Sequence, residues 1–147
     1  MKKTLFNLTL IALLFGLMGC SQDDVDTEKP VIEVKEPHDH AEFHPGDEIH
    51  VDIEFSDNVG LKEFKIDIHY GGDHSHKSLL DEIEWSFLHI EAIDGRNKHV
   101  HMHIDIPHNA KHGEYHFLVY CTDQAGNEAM VALEIEIEDE HGHGHEH

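Results

Sequence analysis

The sequence predicts an all-β fold, a two-layered sandwich of seven short strands, and three observations predict it. Apolar and polar residues alternate with period two through most of the body, as in strands that bury one face. Clusters of Asp, Asn and Gly interrupt the alternation at short intervals, where the chain must turn. No stretch repeats apolar residues at helical spacing over a useful length, and residues 78–84 offer one turn at most.

The first strand is short, residues 31–35. The second, residues 49–55, alternates Ile49, Val51, Ile53 and Phe55 with His50, Asp52 and Glu54, and Asp57-Asn58-Val59-Gly60 ends it. The third, residues 64–70, sets Phe64, Ile66 and Ile68 against Lys65, Asp67 and His69. The fourth spans residues 85–93. Asp94-Gly95-Arg96-Asn97 then favours a tight hairpin into the fifth, residues 99–106. The sixth, residues 115–119, and the seventh, residues 131–137, flank the turn Asp123-Gln124-Ala125-Gly126-Asn127. Strands of this length and spacing pack as two sheets around one core. Cys121 lies on the apolar phase and reads as a small buried hydrophobe. It is the one cysteine after Cys20, so no disulfide framework is expected.

Ahead of this body, Lys2 and Lys3 precede an apolar run over residues 5–17, and Gly19 precedes Cys20. That is the layout of a secretory signal, too short for a comfortable membrane span. Leu17-Met18-Gly19-Cys20 resembles the lipobox cut by lipoprotein signal peptidase, which implies a diacylglycerol on Cys20. The acidic run Ser21-Gln22-Asp23-Asp24-Val25-Asp26 resembles the surface-export tether of Bacteroidota lipoproteins. The expected layout is a signal peptide over 1–19, the lipidated cysteine and an acidic linker over 20–29, the sandwich over 30–139 and a His-rich tail over 140–147. The expected location is the outer membrane, at the cell surface or else facing the periplasm. The lipid at Cys20 is the membrane contact, and the oligomeric state stays open.

Charge narrows the partners. All 31 acidic residues follow Cys20 and two of the ten basic residues precede it, leaving eight basic against 31 acidic, a formal −23 with histidines neutral. Such a surface repels nucleic acid and attracts cations. Nucleic acid is therefore excluded as a partner.

Lys29-Pro30-Val31-Ile32, Pro45-Gly46-Asp47-Glu48-Ile49, Phe55-Ser56-Asp57-Asn58-Val59-Gly60-Leu61, Gly113-Glu114-Tyr115-His116-Phe117 and Thr122-Asp123-Gln124-Ala125-Gly126-Asn127 follow one another as in bacterial Ig-like domains. The whole resembles a Bacteroidota Ig-like lipoprotein family described only as a domain of unknown function. The resemblance covers roughly residues 28–138 and implies an Ig-like sandwich, but no activity. Antibody-type domains pair two cysteines, whereas Cys121 has no partner in the second strand.

Histidine is the feature that asks for chemistry. There are 18, and they cluster as His38-Asp39-His40, His74-Ser75-His76, His99-Val100-His101-Met102-His103 and His141-Gly142-His143-Gly144-His145-Glu146-His147. Residues two apart on a strand share a face, so their imidazoles can close on one ion with Zn–N bonds of about 2.0–2.1 Å. Four such clusters in one short chain point to metal. If the strands alternate up and down, the loops carrying His38, His40 and His44, then His74 and His76, then His108 and His112 share one pole with the tail. The other pole has no histidine and receives the N-terminal linker.

The strand histidines make a second group. The second and fifth strands of an Ig-like sandwich are neighbours. His50, Asp52 and Glu54 should therefore face outward beside His99, His101, His103 and Asp105. His89 and Glu91 of the fourth strand join them if its Trp85–Phe87 end turns inward. Mixed imidazole and carboxylate suits Zn²⁺, with Ni²⁺, Co²⁺ or Cu²⁺ as alternatives. The alternative is that these are polar residues on a solvated face, an alternative that carries less weight for the tail and pole histidines. Asp57, Asn58, Asp94, Asp123 and Asn127 at the histidine-free pole can hold Ca²⁺, yet they are ordinary turn formers and turn formation is the preferred reading.

His101-Met102-His103-Ile104-Asp105 matches the His-x-His-x-Asp of metallo-hydrolases only superficially, because it sits in mid-strand rather than at a strand end in an α/β architecture. Without other catalytic motifs, the expectation is a binding protein and not an enzyme. It captures, buffers or delivers transition metal, zinc first, with an outer-membrane importer as partner. Protons compete with metal at imidazole, so capture should weaken as pH falls through about 6.5. The alternative is an Ig-like adhesion or assembly module with no metal role.

Overall fold

The computed structural model of the protein describes residues 25–72 and 82–138. Cys20 and the signal segment, His74 and His76, and the tail histidines His141, His143, His145 and His147 lie outside the described residues.

The described residues form no helix and eight strands: β1 (Val31–Glu36), β2 (Ala41–Phe43), β3 (Glu48–Ser56), β4 (Leu61–Tyr70), β5 (Ser86–Ala92), β6 (Asn97–Asp105), β7 (Gly113–Asp123) and β8 (Glu128–Ile137). They make a three-stranded sheet in the order β1-β3-β6 and a five-stranded sheet in the order β2-β8-β7-β4-β5. The Ig-like sandwich expected from the alternation is the observed fold.

Strand number and one strand's sheet differ from expectation. The eighth strand is β2, which runs parallel to β8 with Ala41 opposite Ile135 and Phe43 opposite Ile137. Three residues between Pro37 and Pro45 are too few to show a period. The chain from β1 thus crosses to the second sheet. The fourth predicted strand, β5, pairs with β4 at the edge of the five-stranded sheet, not with the sheet that holds β3 and β6. Its phase is also the reverse of a simple reading. Phe87, His89 and Glu91 turn toward the interior side, while Leu88 and Ile90 are 62% and 58% exposed. As an edge strand, β5 covers the core less fully, so its pattern reports sheet position poorly.

The core is built chiefly from the inward phases of β3, β4 and β7. Ile49, Val51, Ile53 and Phe55 of β3 meet Leu61, Phe64, Ile66 and Ile68 of β4, and Tyr115, Phe117, Val119 and Cys121 of β7 lie beside those of β4. Each fully buried large apolar side chain contributes about 1.5–3 kcal/mol. Register breaks between Leu61 and Glu63, and this bulge puts Lys62 and Glu63 outside together. Tyr115, at the start of β7, donates its hydroxyl to Lys111 O at 2.8 Å, the tyrosine corner of Ig-like sandwiches. Trp85 packs on its ring at 5.9 Å.

The two ends of the sandwich are stitched separately. At one, Gly46 N donates to Ile106 O at 3.1 Å, Ile83 N to Asn109 O at 2.8 Å and Glu138 N to Phe43 O at 2.8 Å. This pole gathers His38, His40, His44, His108 and His112. At the other, Asp57 N donates to Arg96 O at 2.9 Å and Gln124 N to Gly60 O at 2.9 Å. Asn58 Nδ2 and Asn127 Nδ2 donate to Asp26 Oδ1 and O at 3.3 and 3.2 Å. The N-terminal segment therefore enters at the histidine-free pole, as the alternating order requires.

Candidate metal centre

The outer face of the three-stranded sheet carries the first donor set. β3 and β6 pair antiparallel with His50 opposite His103, Asp52 opposite His101 and Glu54 opposite His99. The apolar phase of both strands is inside, so His50, His99, His101, His103, Glu54 and Asp105 are all exposed and Asp52 half-buried, as the alternation predicts.

Within this face three residues converge. Glu48, His50 and His103 each offer a ligand atom, and these atoms lie within 4.8 Å of one another. His103 Nδ1 is 2.6 Å from Glu48 Oε1, and His50 Nε2 is 3.7 Å from the same oxygen. The His50 and His103 rings meet edge to face at 4.4 Å, with His101 5.4 Å from His103. Tetrahedral Zn²⁺ ligands stand about 3.4 Å apart, so these three donors are spaced such that they could hold one ion. His99 is held apart by Asp52, Nε2 to Oδ1 at 2.9 Å.

His89 and Glu91 do not join this face. Glu91 accepts from Lys98 Nζ at 2.6 Å across the open side of the sandwich. Lys98, then His89, hold the Glu91 carboxyl below its ordinary range against the opposing effect of burial. The cause is β5's place in the other sheet, which points its inward phase at Lys98 rather than at the imidazoles.

A second donor set, not foreseen from the sequence, lies on the outer face of the five-stranded sheet. Glu114, His116 and Glu134 bring ligand atoms within 4.8 Å of one another. His116 sits opposite both Glu134 and His69 in the ladder, and the His69 and His116 rings are 5.3 Å apart. His40 reaches the same place, with Nδ1 3.7 Å from Glu134 Oε2. His40 N donates to Glu134 O at 2.6 Å and Glu134 N to Asp39 Oδ1 at 2.9 Å, pinning the His38–His40 turn to β8. Asp39, His40, His116, Leu118, Leu133 and Glu134 line an open cleft of about 420 Å³ here. His69 and His116 are single histidines in their strands, so neither belongs to a His-x-His pair. Their outward phase, shared with Asp67 and Glu114, was the available signal.

The other pole histidines are not brought together among the described residues. Three of them take a nearby carboxylate: His38 with Glu36 at 3.5 Å, His44 with Asp47 at 3.4 Å, and His112 with Glu82 at 3.2 Å. His108 lies over Gly46, where a Cβ would stand 2.3 Å from its Nδ1, and Gly46 holds φ at +91°. That position admits no side chain.

At the histidine-free pole Asp57 and Asp123 do form turns. Asp57 Oδ2 accepts from Val59 N at 2.8 Å and Gly60 N at 2.6 Å, and Asn127 donates to Asp123 Oδ1 and Oδ2 at 2.7 Å each. Burial of Asp123 acts to raise its pKa, but hydrogen bonds from Asn127, Gly126 and Ala125 together outweigh it and hold the carboxyl below its ordinary range. Cys121, beneath this pole, is free and buried. Burial, then Asp57 and Asp123, push its thiol up to about 12. An inert core thiol results.

With this geometry in view, comparison with known proteins places the chain. Residues 18–138 match the family model described as Domain of unknown function (DUF4625). The chain belongs to this family. No curated protein matches the DUF4625 chain. Among solved structures it is similar to OgpA from Akkermansia muciniphila, with 13% identity and a TM-score of 0.50 over 76% of this chain and 30% of that one. It is also similar to the fibronectin(III)-like modules of Clostridium thermocellum CbhA, at 12% identity and a TM-score of 0.47 over 81% of this chain and 52% of that one. The sporulation control protein Spo0M of Bacillus subtilis gives 12% identity and a TM-score of 0.44 over 76% of this chain and 49% of that one. At such identities the likeness concerns fold alone.

Proposed function

We propose that this DUF4625 protein is a membrane-anchored lipoprotein that captures or buffers transition-metal ions, zinc first, for delivery to an outer-membrane importer. The observation that carries this reading is the convergence of Glu48, His50 and His103 across the β3–β6 ladder. Nitrogen and carboxylate donors at this spacing suit Zn²⁺, Ni²⁺, Co²⁺ or Cu²⁺. Their exposure favours exchangeable binding over a closed structural site. The set of Glu114, His116 and Glu134 supplies a second place for an ion. On this reading Cys20 holds the lipid, the linker enters at the opposite pole, and the histidine pole with its tail faces away from the membrane.

The test is zinc calorimetry on the protein truncated after Glu138, which removes the tail histidines. Micromolar binding that His103→Ala weakens about tenfold or more supports the reading, and the absence of heat with micromolar zinc rejects it. The outer face of the five-stranded sheet favours one alternative, an adhesion or assembly module, because Leu88, Ile90 and Met130 are exposed on it. A tailless protein that ignores an immobilised zinc column yet retains a protein or glycan target would decide for that alternative.

A further inference from the structure

We propose that the histidine-free pole binds one Ca²⁺ ion between Asp26, Asp57 and Asp123, and that this ion clamps the N-terminal segment onto the end of the sandwich. The three carboxylates come from distant parts of the chain: Asp26 ahead of β1, Asp57 in the turn after β3, and Asp123 at the end of β7. One oxygen of each lies within 4.8 Å of the others. Oxygens on opposite sides of an ion with Ca–O bonds of about 2.4 Å stand about 4.8 Å apart, so the three oxygens are near enough to share one such ion.

Turn formation does not account for this arrangement. Asp26 belongs to neither turn. Its Oδ1 accepts from Glu28 N at 3.1 Å and Asn58 Nδ2 at 3.3 Å, while Asp57 spends only Oδ2 on its turn. The other oxygens, Asp26 Oδ2 and Asp57 Oδ1, are closed off from solvent and accept no hydrogen bond. Asp123 beside them is fully buried. Buried carboxylate oxygens without donors are costly, and gathering three carboxylates adds repulsion. The lysine ion pairs of the described residues lie elsewhere, Lys35 with Glu54, Lys98 with Glu91 and Lys111 with Glu84. Arg96 Nε donates to Val59 O at 3.2 Å. A cation between the orphaned oxygens satisfies both and offsets the repulsion. The set is all oxygen, which selects Ca²⁺ over the imidazole-seeking metals of the other sites.

The experiment is a CaCl2 titration of the purified, chelator-stripped protein by calorimetry, with melting curves alongside. One equivalent should bind with a Kd of roughly 10⁻³ M or tighter. About 5 mM Ca²⁺ should raise Tm by several degrees. Asp26→Asn lies outside both sheets and should keep or raise the chelated Tm, since it relieves the repulsion, but weaken Ca²⁺ about tenfold or more and abolish the Tm rise. Asp57→Asn should do the same to binding. His103→Ala should leave Ca²⁺ binding untouched, so this result stands apart from the zinc result. No heat and no Tm change with Ca²⁺ overturns the proposal. So does an equal rise with Mg²⁺, which would mark general screening of an acidic surface, or an Asp26→Asn protein that binds Ca²⁺ like the parent.

Discussion

The two poles of the sandwich use opposite chemistry in opposite ways. One gathers histidines in number, yet His38, His44 and His112 each settle on a neighbouring carboxylate. The other has no histidine, and three aspartates from distant segments meet with two oxygens left without donors. Abundance of donors does not make a site. Convergence does, and in this fold convergence comes from cross-strand register or from turns packed against each other. The donors that meet among the histidines, His50 with His103 and His116 with Glu134, are ladder partners on sheet faces rather than loop neighbours.

The largest expected effect joins the poles through their shared core. Phe117 is fully buried between them, and Phe117→Ala should cost about 3–5 kcal/mol, measured by urea unfolding. Both the zinc and the calcium responses should disappear with the fold at the same denaturant concentration. Retention of either beyond the unfolding midpoint would mean that its donors gather without the sandwich.

Alkaline unfolding offers a smaller, pole-by-pole test. Cys121 beneath the aspartate pole and Tyr115 at the histidine pole are each pushed up to about 12, burial being the largest cause for both. A group whose folded pKa is raised keeps its proton after the unfolded chain has lost it. Its stabilisation is complete below the unfolded value and is lost as pH rises toward the folded value. Stability in the presence of chelator should therefore fall from about pH 9, where an unfolded thiol titrates, and faster above about pH 10, where tyrosine joins, each by at most about 1.4 kcal/mol per pH unit. Urea midpoints against pH check this. Cys121→Ala should flatten the limb between pH 9 and 10, and an unchanged limb would contradict the assignment.

The smallest effect concerns the exposed pole histidines. His38→Ala should change stability by no more than about 0.5 kcal/mol and leave zinc affinity of the tailless protein where it was. A clear loss of affinity would show that abundance at that pole matters after all.

The outward face of β3 and β6 was legible because two constraints agreed: apolar alternation fixed which residues face out, and an Ig-like order makes these strands neighbours. β5 was not legible in the same way. Its mixture of Phe87, His89 and Glu91 facing in with Leu88 and Ile90 facing out belongs to an edge strand, whose sheet is chosen by pairing energy with β4 rather than by its own pattern. His69 and His116 carried the outward phase but no local partner, so only the β4–β7 ladder made them a pair.

The amino-acid order by itself determined seven of the eight strands, the inward and outward phases of all but β5, the acidic surface and the confinement of the loop histidines to one end, since these follow from composition, local alternation and turn chemistry. Tertiary structure alone decided which donors meet. Asp26 reaches Asp57 and Asp123 because the N-terminal segment folds back over two turns, and Glu48 reaches His50 and His103 because one register was selected over its neighbours. Contacts between distant segments depend on how whole layers pack, and no short stretch of sequence carries that information.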